Sequence, residues 1–217
     1  GITCFAVRQD APGFVQGAEE LTMGMRGMVQ NSIHLHEVAV GPDDVLGEVG
    51  QGMLIAQDIM EFGRICIAAS AVGTMKRCAQ LMARYARRRS IATGRLLDNY
   101  VSRERLTQLT VETAALETLV YSFAAWLDAS VDVPKECFAA VKVLAAETAY
   151  RNVDLLMQML GGRGFIETNL VPQMLRDARL MRIFEGPSET MQMFVGMRLA
   201  VGSASFSAFL RQTLDGG

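Results

Sequence analysis

Aromatic side chains are scarce in this chain: 7% of 217 residues, with a single Trp. A stacking platform for nucleic-acid bases has little to be built from. A formal net charge of −2 supplies no field to gather polyanions or anionic lipid. No apolar run approaches the roughly 18 residues of a membrane span, and the first residues carry no signal-peptide pattern. Histidine is limited to two residues, His34 and His36. They share the outer face of one predicted strand with no third ligand nearby, so solvent exposure is expected there and a metal site is not. The four cysteines, Cys4, Cys66, Cys78 and Cys137, have no metal-ligand spacing and suit a reducing compartment. They read as small buried apolar residues. Internal repeats and low-complexity linkers are also missing.

Half of the residues are hydrophobic, 14 of them Met, as packed aliphatic helices require. Two textures divide the chain. Residues 1–48 carry short β-type runs, Ile2 to Val7 and Ser32 to Val40, the second alternating Ile33 and Leu35 against His34 and His36. Asp10-Ala11-Pro12-Gly13 and Gly41-Pro42-Asp43-Asp44 punctuate them as turns. From Gly52 the period becomes helical. Ile65, Ala68, Val72, Met75, Ala79 and Met82 step by three and four. Leu106, Leu109, Thr113, Leu116, Val120, Phe123 and Leu127 repeat the rhythm, and so do Phe138, Val141, Ala145, Thr148, Asn152, Leu155 and Met159. These stripes, with a helix after Gly186, predict an antiparallel four-helix-type bundle. Pro134 fits the start of the third helix and Gly161-Gly162 its end. Asn152 interrupts an apolar stripe, which suggests a buried polar residue fixing the packing register. Residues 203–217 are weakly patterned and read as a tail or a short peripheral helix.

The segment Phe184-Glu185-Gly186-Pro187-Ser188-Glu189 places a carboxylate directly before a helix start. Pro187 suits a first helical turn, and Ser188 and Glu189 offer polar groups where helix N–H groups are unpaired. A base held at a chain reversal beside such N–H groups suits proton abstraction next to a carbonyl. The plainer alternative is an acidic helix start that only complements the dipole.

Three ordered pieces, Gln158-Met159-Leu160-Gly161-Gly162-Arg163-Gly164-Phe165, Leu175-Arg176-Asp177-Ala178-Arg179 and Ile183-Phe184-Glu185-Gly186, resemble the C-terminal part of an acyl-CoA dehydrogenase. The family pattern runs Q-x-x-G-G-x-G-[FY], then R-D-A-[KR], then I-[YF]-E-G, and the spacing matches. Met23-Gly24-Met25-Arg26-Gly27, Glu37-Val38-Ala39-Val40 and Leu46-Gly47-Glu48-Val49-Gly50-Gln51-Gly52 agree as well. The resemblance covers roughly residues 1–201. It implies a mainly α fold: the end of a middle antiparallel β-domain (1–48), a C-terminal helical bundle domain (49–202) and a tail (203–217). Residue 1 then falls inside the middle domain, so the chain is expected to be the C-terminal half of a longer enzyme.

What the resemblance implies about chemistry is α,β-dehydrogenation of an acyl-CoA or acyl-carrier thioester with FAD as hydride acceptor. Glu185 is the implied base, and the loop at Glu185 and Gly186 the implied holder of the thioester carbonyl. Some members carry the base on the first bundle helix, before an Arg; here Gly63 stands before Arg64, so Glu185 is the sole candidate. The family's D-x-x-R substrate signature appears as Glu61-Phe62-Gly63-Arg64, one methylene longer at Glu61; an ordinary i, i+3 surface pair is the alternative. Arg89, within Arg87-Arg88-Arg89, is the implied ligand of the flavin pyrophosphate across a subunit boundary; a solvated basic helix end is the alternative. Gln158, Gly161 and Gly162 are implied to approach the adenosine half of the flavin. The loop aromatic of relatives is missing, and Pro187 replaces a hydroxyl residue that contacts flavin, leaving Ser188, Glu189 and Gln192. Expected partners are a homodimer or homotetramer mate and an electron-transferring flavoprotein. The expected location is cytoplasmic, or the mitochondrial matrix in a eukaryote. A catalytically silent assembly module, an acyl-CoA oxidase and a carrier-protein-linked dehydrogenase remain the alternatives.

Overall fold

Runs of two to six β-type residues broken by Gly and Pro can make ribbons but not a wide sheet. The structure, a computed structural model, describes residues 1–215 and divides into two compact units between Phe62 and Gly63. In the first unit, four strands, β1 (Cys4–Phe5), β2 (Phe14–Glu19), β3 (Asn31–Leu35) and β4 (Val45–Leu46), form two antiparallel ribbons. β1 pairs with β4 through Cys4↔Leu46 and Phe5↔Val45. β2 pairs with β3 through Phe14↔Leu35, Val15↔His34 and Gln16↔Ile33, then slips register before Glu19↔Asn31.

Both strands fall short of the lengths the sequence pattern predicts. The expected strand to Val40 stops at Leu35, because Glu37 takes a left-handed φ of 49° that no ladder tolerates. The expected strand from Ile2 to Val7 keeps only Cys4–Phe5 and an isolated parallel bridge from Ile2 to Gln51. His34 and His36 are exposed with their rings 6.3 Å apart, but Ile33 and Leu35 are exposed too, at 54% and 59%. A two-stranded ribbon has no second layer in its unit to cover the apolar face.

The helix α1 (Gly52–Arg88) begins in the first unit and continues into the second. There it buries Ile65, Ala68, Val72, Met75 and Met82, with Cys78 rather than Ala79 on the inner stripe. A hairpin of β5 (Ser90–Ile91) and β6 (Gly94–Arg95) follows, paired Ser90↔Arg95 and Ile91↔Gly94. Then come α2 (Tyr100–Asp128), α3 (Lys135–Leu160), α4 (Gly162–Phe165), α5 (Leu170–Met181), α6 (Ser188–Ala200) and α7 (Ala204–Asp215). Asn99 caps α2 by accepting a hydrogen bond from the Ser102 N–H at 3.3 Å. Pro134 immediately precedes α3, and Gly161 ends it at φ 58°, where any side chain would be strained.

α3 is the centre of the second unit and packs against α2, α4, α5 and α6. Ala139, Ala145, Ala146 and Ala149 are fully buried along it, and side chains this small let neighbouring helices close from several directions. The mainly α bundle that the stripes predict is therefore present, and α4, α5 and α7 add to it. The region read as a tail or a short peripheral helix forms the helix α7, whose Phe209 is buried edge-on against Trp126 with ring centroids 5.1 Å apart. Phe123 meets Trp126 and Phe138 in the same way, at 5.3 Å each. Asn152 ties two helices: its Nδ2 donates to Glu112 Oε2 of α2 at 2.8 Å and to the Thr148 carbonyl at 2.9 Å. The polar residue in the apolar stripe is thus buried and hydrogen-bonded across α2 and α3. Of the cysteines, Cys78 is fully buried, Cys4 and Cys137 are half-buried, and Cys66 is exposed, against expectation. No single described helix is long and apolar enough to cross a membrane; α6 and α7 reach that length only as a pair bent by 85°.

Candidate active site

The chain leaves α5 through a tight reversal that leaves Glu185 half-buried. The Ile183 and Phe184 N–H groups donate back to the Leu180 carbonyl at 2.8 and 3.2 Å, and the Ser188 N–H closes the turn on Arg182 O at 3.1 Å. Between them Glu185 adopts φ 54° and Gly186 φ 95°. A left-handed conformation costs an L-residue such as Glu roughly 1–2 kcal/mol, so the surroundings must hold it. Gly186 admits no other residue without strain at its φ of 95°, and a Cβ there would also have to displace the flexible end of Met191, whose Cε lies 2.6 Å away. α6 then starts at Ser188, one residue after Pro187, and the Met191 N–H donates to Pro187 O at 3.0 Å.

Two cationic side chains grip the two left-handed residues by their carbonyls. Arg64 of α1, 9% exposed, donates Nε to Glu185 O at 3.3 Å. Lys142 of α3, with no exposure at all, donates Nζ to Gly186 O at 2.7 Å. The Glu185 carboxylate rests on Gly63: a Cβ built there would be 2.9 Å from Oε1 and 3.0 Å from Cδ. The absence of a side chain before Arg64 is thus the space that the Glu185 carboxylate fills. Burial, and next the charge of Arg64, push the Lys142 ammonium below its ordinary pKa, against the opposing pull of Glu147, Glu185 and Glu189.

A second layer steadies the turn. Arg182 donates Nε to Glu147 Oε1 at 2.7 Å and lies 5.0 Å over the Tyr150 ring. Burial pushes the Glu147 carboxyl up, but the Arg182 hydrogen bond, the Ser188 hydroxyl and the charges of Arg182 and Arg179 outweigh it and hold the net value low. The Ser188 hydroxyl is buried on that side of the turn without a hydrogen bond of ordinary length.

Arg89, Gly161 and Gly162 form a separate group. Arg89, exposed at the end of α1, lines a groove of ≈ 670 Å³ with Arg84, Tyr85, Arg88 and Arg163. It also lines an adjoining depression of ≈ 480 Å³ whose floor includes Gly161 and Gly162. Arginine forks, a tyrosine ring and glycine backbone are a donor set suited to a diphosphate with an adjoining base. None of Glu185, Gly186, Ser188, Glu189 and Gln192 lines this groove. Gln158 is exposed on the last turn of α3, and Glu189 and Gln192 are exposed on α6. Glu61 is half-buried on the stretch of α1 in the first unit.

Sequence reasoning missed Lys142, Glu147 and Arg182. The signal for Lys142 was present: a single charge inside Ala139-Ala140-Val141-Lys142-Val143-Leu144-Ala145-Ala146, at a position the helical period turns inward.

Residues 50–200 match the family model described as the C-terminal domain of acyl-CoA dehydrogenase. The chain is 30% identical over 197 residues to the very long-chain specific acyl-CoA dehydrogenase, mitochondrial, of Rattus norvegicus, covering 91% of this chain and 30% of that one. Among solved structures it is similar to butyryl-CoA dehydrogenase from Megasphaera elsdenii, with a TM-score of 0.87 and 28% identity over 92% of this chain and 52% of that one. It is also similar to the acyl-CoA dehydrogenase complexed with FAD from Bacillus anthracis, at TM-score 0.84 and 26% identity over 99% of this chain and 38% of that one. The chain therefore spans about a third to a half of the length of these relatives.

Proposed function

Since the chain belongs to the acyl-CoA dehydrogenase family, we propose that it supplies the proton-abstracting half of a flavin-dependent acyl-thioester dehydrogenase. The observation that carries this reading is the Glu185 carboxylate, seated over Gly63 on a left-handed turn whose carbonyls Arg64 and Lys142 hold. A carboxylate in a fixed place is what removal of a weakly acidic α-proton needs. In the proposed reaction a Glu185 oxygen takes the α-proton of the bound acyl thioester, and the α,β double bond forms as the β-hydrogen leaves with its electron pair. Bound FAD supplies the acceptor for that hydride. Backbone N–H groups of the Glu185–Gly186 turn face the charge that develops on the thioester carbonyl.

Arg89, with Arg84, Arg88 and Arg163 beside it, would hold the diphosphate of the flavin, and Gly161 and Gly162 would admit its adenosine end at the backbone. Gln158, Ser188, Glu189 and Gln192 are further candidate flavin contacts, and Glu61 and Arg64 candidate contacts to the acyl carrier. Arg64 already commits its Nε to Glu185 O, which favours a role at the turn. A second copy of the chain and an electron-transferring flavoprotein as electron acceptor complete the proposal.

The test is Glu185→Gln in the protein that carries this chain. Flavin content should stay near that of the parent, because volume and turn are kept. Reduction of the flavin by an acyl-CoA should be lost, by about a hundredfold or more. Rates within a few-fold of the parent would overturn the assignment.

A further inference from the structure

A lysine without solvent exposure in the most crowded helix of the protein is costly, because a methionine of similar volume would need no compensation there. Among the described residues, the hydrogen bond that engages Lys142 is the 2.7 Å one to the Gly186 carbonyl. Gly186 is the partner of Glu185 in the left-handed pair, with φ values of 95° and 54°. A non-glycine residue keeps such a backbone only where neighbours over-determine it.

The neighbours divide that task. Met191 fills the space a Cβ on Gly186 would need, with its Cε 2.6 Å from that position. Arg64 takes the first carbonyl of the pair and Lys142 the second, from two different helices. We propose that Lys142 is a positioning residue of the proton-abstracting site: by holding Gly186 O it keeps the Glu185–Gly186 turn left-handed and the carboxylate seated on Gly63. Arg64, Glu147, Glu185 and Glu189 are the charges that face its ammonium. The three acidic ones keep a cation tolerable at this depth and Arg64 opposes it. Lys142 acts through Glu185 and has no part of its own in the transfer of the proton.

The inference rests on Glu185 as base, so its test separates the two. In the flavin-loaded, full-length protein, Lys142→Met should slow flavin reduction by acyl-CoA about ten- to a hundredfold, as a misplaced base does, with substrate affinity altered by only about threefold. In a Glu185→Gln background the same substitution should add nothing further, since a residue acting only through Glu185 has nothing left to position. Amide exchange gives a readout free of activity: the Ser188 N–H, bonded to Arg182 O at 3.1 Å, should exchange about tenfold faster in Lys142→Met. If Glu185→Gln alone keeps the parent rate, the base assignment fails, and faster Ser188 exchange still supports Lys142 as the holder of the turn. If Lys142→Met does not fold, Lys142→Gln is read by the same criteria. Parent-like rates together with parent-like Ser188 exchange, or full additivity in the double variant, overturn the proposal.

Discussion

Gly63→Ala separates the stability of α1 from the seat of the carboxylate. Gly63 lies inside a 37-residue helix, where Ala is favoured over Gly by roughly 0.8–1 kcal/mol. Against that gain, the new Cβ would stand 2.9 Å from Glu185 Oε1 and 3.0 Å from Cδ. Restoring ordinary contact near 3.5 Å requires the carboxylate to retreat by about half an ångström. The displaced atoms are the far end of a flexible side chain, so the strain is about 0.5–1.5 kcal/mol, the cost of an off-rotamer χ. The two terms nearly cancel, and the unfolding midpoint should stay within about 2–4 °C of the parent. The same displacement should slow flavin reduction roughly tenfold, since about 1 Å of misplacement can cost a hundredfold. Calorimetry and stopped-flow flavin reduction on one preparation read both. An unchanged rate would show that the carboxylate does not work from its seat on Gly63. A fall in midpoint beyond about 10 °C would show that Gly63 is needed for packing instead.

Arg89→Ala should weaken flavin retention about ten- to a hundredfold, the worth of a charge-assisted contact, while Arg87→Ala, which does not line the groove, should do much less; equal affinities by equilibrium titration would return Arg89 to the solvated surface. At Glu112, burial pushes the carboxyl up, but hydrogen bonds from Asn152, Gln108 and Arg151 more than offset it and leave the net value low, as at Glu147. A carboxyl lowered on folding stabilises above its unfolded pKa near 4.5 and loses that contribution as pH falls through the folded value, so the midpoint should drop as pH goes from about 5 to about 3. Glu112→Gln with Glu147→Gln should flatten that acid limb, and an equally steep limb in the double variant would refute the linkage.

The sequence by itself determined the features that local chemistry and hydrophobic period dictate. Three stripes at helical spacing became α1, α2 and α3, because a repeat near 3.6 puts Ile65 and Met75, or Leu109 and Leu116, on one face whatever lies opposite. Pro134 and Gly161 marked the ends of α3 because proline fixes its own φ and glycine alone takes a φ of 58° without strain. The ordered motifs around Gln158, Arg176 and Glu185 marked the family, and Asn152 stood out as polar in an apolar stripe.

Tertiary structure decided the rest, because it depends on what a residue meets far along the chain. That Gly63 is a seat for a carboxylate 122 positions away needs α1 to pack against the turn between α5 and α6, and no spacing rule carries it. Arg64 reads from sequence only as a candidate substrate contact and Lys142 not as a site residue; that both act on one turn from separate helices emerges once α1 and α3 lie beside the loop. The expected strand to Val40 failed for the opposite reason. Its alternation was real, but Ile33 and Leu35 stay exposed on the ribbon of their unit, and the left-handed Glu37 ends the ladder early.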